Sequence, residues 1–281
     1  MKTILVVGGD SFIGFNFISK FYKNYNFRVV SRKKTKIDKE LVLNDFFKMN
    51  DELFCDVDVL INFAAIVHRT KKTNDLLYKK INFDLPVFLF NKSKKFGVNH
   101  FVQMSSIAVY KRNKRINILS PELPSDYYGI YKLKTDNFLL QSSTKNLVIT
   151  CIRPPMVYGG SAPGNMQRLI KIAKLPLPLP FKNVENKLSF INIENLIDFI
   201  NIVVKNKIIN IVIPSDKNET STKEIIQTVR RLQNKAENLF SMPNFVHMIV
   251  KFSFPNFYSK LFESLTIDCN VDDYLYKPKR G

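Results

Sequence analysis

Acidic side chains are scarce in this sequence: 24 Asp and Glu stand against 43 Lys and Arg, a formal charge of +19 over 281 residues. Cysteine is scarce as well. The three present, Cys55, Cys151 and Cys269, are an odd number with wide gaps, which fits neither a disulfide framework nor a metal-ligand spacing, so no metal site is expected. No charged-then-apolar leader follows Met1; with the unpaired cysteines this predicts a reducing, cytoplasmic setting. No apolar run reaches the roughly 18 residues of a transmembrane segment. The stretch Phe245 to Phe262 is broken by Lys251 and Pro255 and reads as a packed helical lobe, with a face lying on a membrane surface as the alternative. Repeats and low-complexity segments are also missing. What is left, 45% apolar and 24% charged residues, is a globular composition, long enough for one large α/β unit or two lobes.

The positive excess does not in itself point to nucleic acid. The lysines are spread along the chain, and the clusters Arg32-Lys33-Lys34 and Lys111-Arg112 with Lys114-Arg115 are short. A solvated basic surface that draws in anionic, phosphorylated ligands is the reading taken, with no nucleic-acid partner.

Thr3 to Val7 is a β-branched run that enters Gly8-Gly9-Asp10-Ser11-Phe12-Ile13-Gly14 and then a helix to about Lys23. Phe27–Val30, Asp58–Phe63, Phe101–Met104 and Val148–Ile152 are further short apolar runs, separated by helical stretches such as Asp75–Lys95. Continuously apolar strands alternating with helices predict an α/β fold with a doubly wound parallel sheet of Rossmann type. Beyond Pro154-Pro155 the texture changes. Gly159 to Gly164 is loop, and Leu175-Pro176-Leu177-Pro178-Leu179-Pro180 cannot be helix. Ile191–Asn206 predicts a helix and Ile208–Ile213 a strand returning to the sheet; Thr222–Asn234 predicts a helix capped by Ser221 or Thr222. The expected division is a dinucleotide-binding domain, 1–158 plus 189–213, and a smaller, discontinuous C-terminal substrate lobe, 159–188 plus 214–281.

A strand running into a glycine-rich turn at a helix start makes an anion site from backbone N–H groups. Gly8 suits the tight turn and Gly14 close helix–strand packing. Ser11 stands where the pattern has the glycine that lets the pyrophosphate approach; it either strains the backbone by roughly 1–2 kcal/mol at positive φ or bonds a phosphate oxygen. At the second strand's end, Ser31-Arg32-Lys33-Lys34 carries cations and no acid before Asp38. NAD sites favour a carboxylate there and NADP sites an arginine, so NADP(H) is favoured, with NAD(H) as the alternative. Tyr128-Gly129-Ile130-Tyr131-Lys132 puts a phenol and an ammonium at i and i+4 on one helix face. The ammonium is expected to lower the phenol's pKa from about 10 toward the working range.

In order along the chain, Gly8 to Gly14, Asn44-Asp45-Phe46, Asn62-Phe63-Ala64-Ala65-Ile66-Val67-His68, Asn82, Ser105-Ser106-Ile107, Tyr128 to Lys132 and Arg153 to Gly159 make a set that resembles the extended short-chain dehydrogenase/reductases. Within them it is similar to the nucleotide-sugar 4-reductases and UDP-sugar 4-epimerases of the NAD-dependent epimerase/dehydratase type. The resemblance implies Tyr128 as general acid/base, Lys132 on the nicotinamide ribose, Ser106 on the reacting oxygen and Asn82 supporting the lysine. It implies Gly8, Ser11, Phe12, Ile13, Gly14, Ser31, Arg32 and Lys33 around the cofactor phosphates and ribose. Asp45 and Phe46 would meet the adenine, Ala64 and Ala65 the phosphate side, and Pro154 and Pro155 the nicotinamide. His68, Asn165 and Lys187, with Ser106, would meet the substrate. The implied activity is NADPH-dependent reduction of a nucleotide-linked 4-keto-6-deoxy sugar for surface polysaccharide. An NAD-dependent UDP-sugar 4-epimerase is the alternative, and a non-catalytic dinucleotide sensor the alternative of another class. Pairing of two copies through long helices, one carrying Tyr128, is a further implication. Tyr131 and Leu188 depart from the usual pattern, Leu188 standing where many members put an arginine.

Overall fold

The computed structural model describes residues 1–67, 75–110 and 115–268. In chain order the elements are β1 (Thr3–Val7), α1 (Phe12–Phe21), β2 (Asn26–Ser31), β3 (Leu41–Val42), β4 (Val59–Asn62), α2 (Asp75–Lys79), α3 (Leu85–Lys95), β5 (His100–Met104) and β6 (Arg115–Ile116). There follow α4 (Tyr127–Gln141), β7 (Val148–Ile152), β8 (Met156–Tyr158), α5 (Asn165–Ala173), β9 (Phe190–Asn192), α6 (Ile193–Asn206) and β10 (Asn210–Val212). Last come α7 (Thr222–Arg231), α8 (Asn244–Ser253), α9 (Pro255–Phe262) and β11 (Thr266–Ile267).

The main sheet has seven parallel strands in the order β10-β7-β5-β4-β1-β2-β3. Chain direction across the sheet reverses between β1 and β4, the switch point where such sheets open a crevice at their carboxyl ends. Successive residues of β1 serve opposite faces. Ile4 and Val6 pack with Phe17 and Ile18 of α1 and with Leu196, Phe199 and Ile200 of α6. Leu5 and Val7 pack with Leu85 and Leu89 of α3 and Leu139 of α4. Burial on both faces is why these strands are apolar throughout rather than alternating.

The stretch from Asp75 to Lys95 is not one regular helix: a π-helical turn at Lys80–Asp84 separates α2 from α3. Its cause is legible in Pro86, which has no N–H to give the carbonyl of Asn82 four residues back. That carbonyl accepts the Thr135 hydroxyl of α4 instead.

After β8 the chain builds a second core. Leu169, Ala173, Leu179, Phe181, Val184, Ile226 and Leu261 form one cluster, and Met166, Leu188 and Phe190 another at its seam with the sheet domain. Helix α7 is capped by Ser221, one of the two anticipated residues, in a capping box with Glu224, and ends at Arg231 rather than Asn234. The Leu175–Pro180 stretch is non-helical, as its prolines require. The 245–262 region forms α8 and α9, but α8 contains no buried residue. Its packing is one-sided, a departure from a fully packed lobe. No helix among the described residues is long and apolar enough to cross a membrane.

Candidate active site

Val7 delivers the chain into the glycine-rich turn at the switch point. Gly8 has φ +87°, and a Cβ there would lie 2.6 Å from the Ala64 nitrogen. The turn is thus pressed against the end of β4, which explains why small residues, Ala64 and Ala65, follow that strand. Gly8 and Gly9 both donate their N–H to the Val30 carbonyl. A Cβ on Gly9 would meet Val29 Cγ1 at 2.3 Å, so this glycine is set by contact with β2. Ser11 has φ −72° and is the N-cap of α1, its hydroxyl accepting the Gly14 N–H at 3.0 Å. The anticipated strain is therefore absent, and the hydroxyl is engaged in the cap. The first-turn amides of Phe12 and Ile13 carry the helix's partial positive charge, with no acid in that turn to oppose it. A cradle this tight, ending in N–H groups, fits a dinucleotide pyrophosphate.

The end of β2 differs from its linear reading. Ser31 is buried, while Arg32, Lys33 and Lys34 are exposed. Two carboxylates nevertheless flank the strand end. Asp10 accepts the Arg32 N–H at 3.2 Å. Glu40 folds back, accepting the amide and hydroxyl of Thr35. An acid nine positions past Ser31 gave no signal in the local motif. Asp45 caps a short 3₁₀ turn through the Phe47 N–H and lies 3.6 Å from Lys80. The Phe46 side chain is buried in the core with Met49 and Phe54.

The polar cluster at the ends of β5 and β7 is organised by α4. Its N-cap, Asp126, accepts the Gly129 N–H at 2.8 Å. A Cβ on Gly129 would come within 2.3 Å of the Ala108 carbonyl oxygen, so the helix lies directly on the turn that Ser106 caps. This contact brings the Tyr128 phenol near enough to Ser106 for the serine hydroxyl to act on its pKa. The Ser106 hydroxyl also accepts the Ala108 N–H at 3.1 Å. Lys132 is buried, donates to the Met104 carbonyl at 2.7 Å and lies 5.9 Å from the Tyr128 ring centre. A buried polar ladder continues behind it, from Met104 O to Gln103 Nε2 at 3.0 Å and from Gln103 Oε1 to Asn62 Nδ2 at 2.9 Å.

Burial pushes the Tyr128 phenol up to about 12, against the lowering effect of the Ser106 hydroxyl. Burial likewise lowers Lys132 to about 8, with the Asp136 charge pulling the other way. The sequence-based expectation of a phenol acidified by its lysine is corrected on this point. Desolvation outweighs the pair interaction, and the lysine gives its hydrogen bond to a carbonyl. Asn82 is also placed differently. Its side chain brackets the backbone of Ile66, accepting the N–H and donating to the carbonyl, both at 2.9 Å. It reaches the site through the Ile66 loop and through Thr135, with no bond to Lys132.

One turn beyond Lys132, Asp136 accepts from Ser105 Oγ at 2.7 Å and from Arg153 Nε at 2.8 Å. Arg153 also binds the Tyr110 hydroxyl at 2.8 Å and Glu122. The next residues, Pro154 and Pro155, are buried, and Pro154 O accepts the Ile107 N–H at 3.2 Å. The buried Asp136–Arg153 pair thereby ties α4, the Ser105-Ser106 segment and the proline segment together. Neither member was singled out as a site residue, since the partners lie on separate elements.

Of the substrate-side residues, His68 lies outside the described residues. Asn165 opens α5, with its side chain likewise outside the description. Lys187 is exposed and lies 3.8 Å from Glu219. A cavity of about 780 Å³ opens between α5, α6, α7 and the 215–220 turn, lined by residues including Tyr158, Met166, Phe190 and Asp216. None of the residues assigned to cofactor or proton chemistry lines it. Among the described residues no group of His, Cys, Asp and Glu side chains could hold a metal ion.

Comparison with known proteins identifies the lineage. The chain is 26% identical over 205 residues to a UDP-glucose 4-epimerase of Vibrio cholerae, covering 67% of this chain and 62% of that protein. It is 24% identical over 175 residues to an N-acetyl-α-D-glucosaminyl-diphospho-ditrans,octacis-undecaprenol 4-epimerase of Escherichia coli O157:H7, covering 60% of this chain and 53% of that protein. The chain thus spans less than two thirds of each relative's length. Its fold is similar to that of MoeE5 in complex with UDP-glucose and NAD, with a TM-score of 0.78 at 17% identity, covering 99% of this chain and 94% of that one. The model of the NAD dependent epimerase/dehydratase family matches residues 4–212, most of the chain and all seven strands of the main sheet, and to that family this protein belongs.

Proposed function

We propose that the protein is a 4-epimerase of a diphosphate-linked sugar working with a nicotinamide dinucleotide. The observation that carries this reading is the contact of Tyr128 with Ser106, beside Lys132, at the carboxyl end of a Rossmann sheet. In the assigned division, residues 1–158 plus 189–213 bind the dinucleotide and 159–188 plus 214–281 take the substrate. The residues of the glycine turn suit that cofactor, with Gly8, Gly9 and Gly14 as the cradle and the Phe12 and Ile13 amides toward the pyrophosphate. A bound nicotinamide supplies the hydride acceptor and donor. Tyr128 takes the proton of the sugar hydroxyl as it becomes a ketone and returns it when the ketone is reduced from its other face. Ser106 bonds the same oxygen and the phenol. To take that proton Tyr128 must be the phenolate; Lys132, the cation 5.9 Å from its ring centre, opposes the burial that raises the phenol.

The expectation of an NADPH reductase gives way to this alternative because both curated relatives are named 4-epimerases. Asp10 and Glu40 at the end of β2 also weaken the case for a 2′-phosphate. One observation favours the second reading, net reduction with NADPH: Arg32, Lys33 and Lys34 are exposed at the same strand end.

Native mass spectrometry of the purified protein, beside interconversion of UDP-glucose and UDP-galactose, tests the choice. Co-purifying NAD and interconversion without net cofactor change support the epimerase. Stoichiometric NADPH loss with a UDP-4-keto sugar, and no interconversion, would hand the case to the reductase. Tyr128→Phe is expected to cut turnover by about 10²-fold or more with the fold intact; near-normal turnover removes the proton-transfer assignment.

A further inference from the structure

Helix α8 presents two apolar sides. On its inner side Val246, His247 and Val250 are half-buried. His247 lies edge-on to the rings of Tyr258 and Phe262, and Phe262 stacks on Phe181 at 5.2 Å. This aromatic stack anchors the helix to the C-terminal core. On the outer side Phe245, Met248, Ile249 and Phe252 are 62%, 71%, 58% and 92% exposed. Their spacing of i, i+3, i+4 and i+7 aligns them in one stripe, and Phe254 extends it at 63% exposure. Scattered exposed apolar residues need no explanation, but an aligned stripe of large ones marks a contact surface.

Charge indicates what makes the contact. No Asp or Glu occurs between Asn238 and Phe262, where Lys251 and Lys260 are the charged residues. Lys251 flanks the stripe, and its ion pair with Glu263, 3.4 Å long, is solvent-exposed; a pair of that kind is weak. The chain carries +19. A second copy seated on this stripe would bring like charge against like, whereas an anionic bilayer brings the opposite sign.

We infer that the outer face of α8 inserts into the headgroup region of an anionic membrane, with Phe245, Met248, Ile249 and Phe252 below the phosphates and Lys251 among them. Ten residues make a helix about 15 Å long, suited to lying in the interface plane rather than crossing it. Lysines at such edges extend their amines to phosphate level while burying their stems. The inference is independent of the epimerase reading.

The test is co-sedimentation of the full chain with vesicles of phosphatidylcholine alone and of phosphatidylcholine with phosphatidylglycerol. Binding is expected to be at least tenfold stronger to the anionic vesicles and to weaken as salt rises. Met248→Ser with Phe252→Ser should reduce it about tenfold or more, and Lys251→Glu by a smaller factor, with circular dichroism and melting temperature unchanged. Absence of binding to anionic vesicles overturns the inference, as does undiminished binding by a folded double variant. Conversion of a dimer to a monomer by the double variant, seen by light scattering, would give the face to a second copy and overturn it equally.

Discussion

Arg153 and Arg230 are sunk to 0% and 2% exposure, one beneath the polar cluster of the sheet domain and the other in the C-terminal core. They are compensated in opposite ways. Arg153 faces the carboxylates of Asp136 and Glu122 and the ring and hydroxyl of Tyr110. Arg230 spreads its donors over the backbone carbonyls of Ala173, Leu175, Leu177, Ala236, Glu237 and Asn238. The first is a charge neutralised by charge. The second is a charge dispersed over dipoles, and its partners explain why it is there. A stretch with proline at 176, 178 and 180 can form no helix and keeps a single β-bridge, Leu179 with Leu239, so carbonyls such as those of Leu175 and Leu177 need donors from elsewhere. A guanidinium, with five N–H donors in a fixed fork, supplies them from one side chain. A buried arginine beneath the Ser105-Ser106 segment and one beneath a proline loop thus solve different problems, the orientation of neighbours and the satisfaction of backbone.

The sharpest way to break this comparison is Arg153→Met. It strands the Asp136 carboxylate and is expected to cost about 3–5 kcal/mol in denaturant unfolding. Adding Asp136→Leu should recover most of the loss; a single variant as stable as the parent would show that the pair carries little. Next, Arg230→Lys should cost about 2 kcal/mol, since an ammonium cannot reach all six carbonyls. Faster amide exchange should be confined to Leu175–Phe181 and Ala236–Phe240. Acceleration throughout β1 and β5 would mean that the clamp supports the whole molecule.

A buried base that avoids charge altogether completes the series. His100 bonds Thr150 at 2.8 Å, and burial, with the Lys207 and Lys2 charges adding, lowers it to about 3. The unfolded chain binds this proton near pH 6.5 while the folded chain refuses it until about pH 3. Stability is therefore lost as pH falls below about 6.5, by about 2 kcal/mol between pH 7 and pH 5 from this group. His100→Gln should flatten that slope in pH-dependent melting, and an unchanged slope would place its origin elsewhere. The smallest effect is expected at the glycine turn, where Ser11→Ala removes a helix cap for about 1 kcal/mol.

Six of the seven strands of the main sheet were legible because burial on two faces writes itself as an apolar run. The two-residue strands β3, β6 and β11 carry too few positions for any pattern. The site divides in the same way. Ser106, Tyr128 and Lys132 stood out as motif residues, and Gly8 and Gly14 by their spacing. Glu40 and Asp136 did not, and Arg153 did so only as the start of the Arg153-to-Gly159 piece with no role attached, because each acts through a partner that only the fold brings near. Lys132 shows the limit most directly: its place on the helix was readable, whereas its hydrogen bond to Met104 and its low pKa arise from burial that no local pattern encodes.

The π-turn at Lys80–Asp84 has a consequence of phase. One added residue turns everything before it by about 100° around the helix axis. Helix α2 is therefore angularly decoupled from α3, and this phase puts Tyr78 into the aromatic wall with Ile66, Tyr128 and Tyr131 while Leu85 and Leu89 stay seated on the sheet. Deleting a single residue within the turn would act as a rotation more than a shortening. Tyr78 would swing out of the wall beside the phenol, and the sheet side of α3 would not register the change.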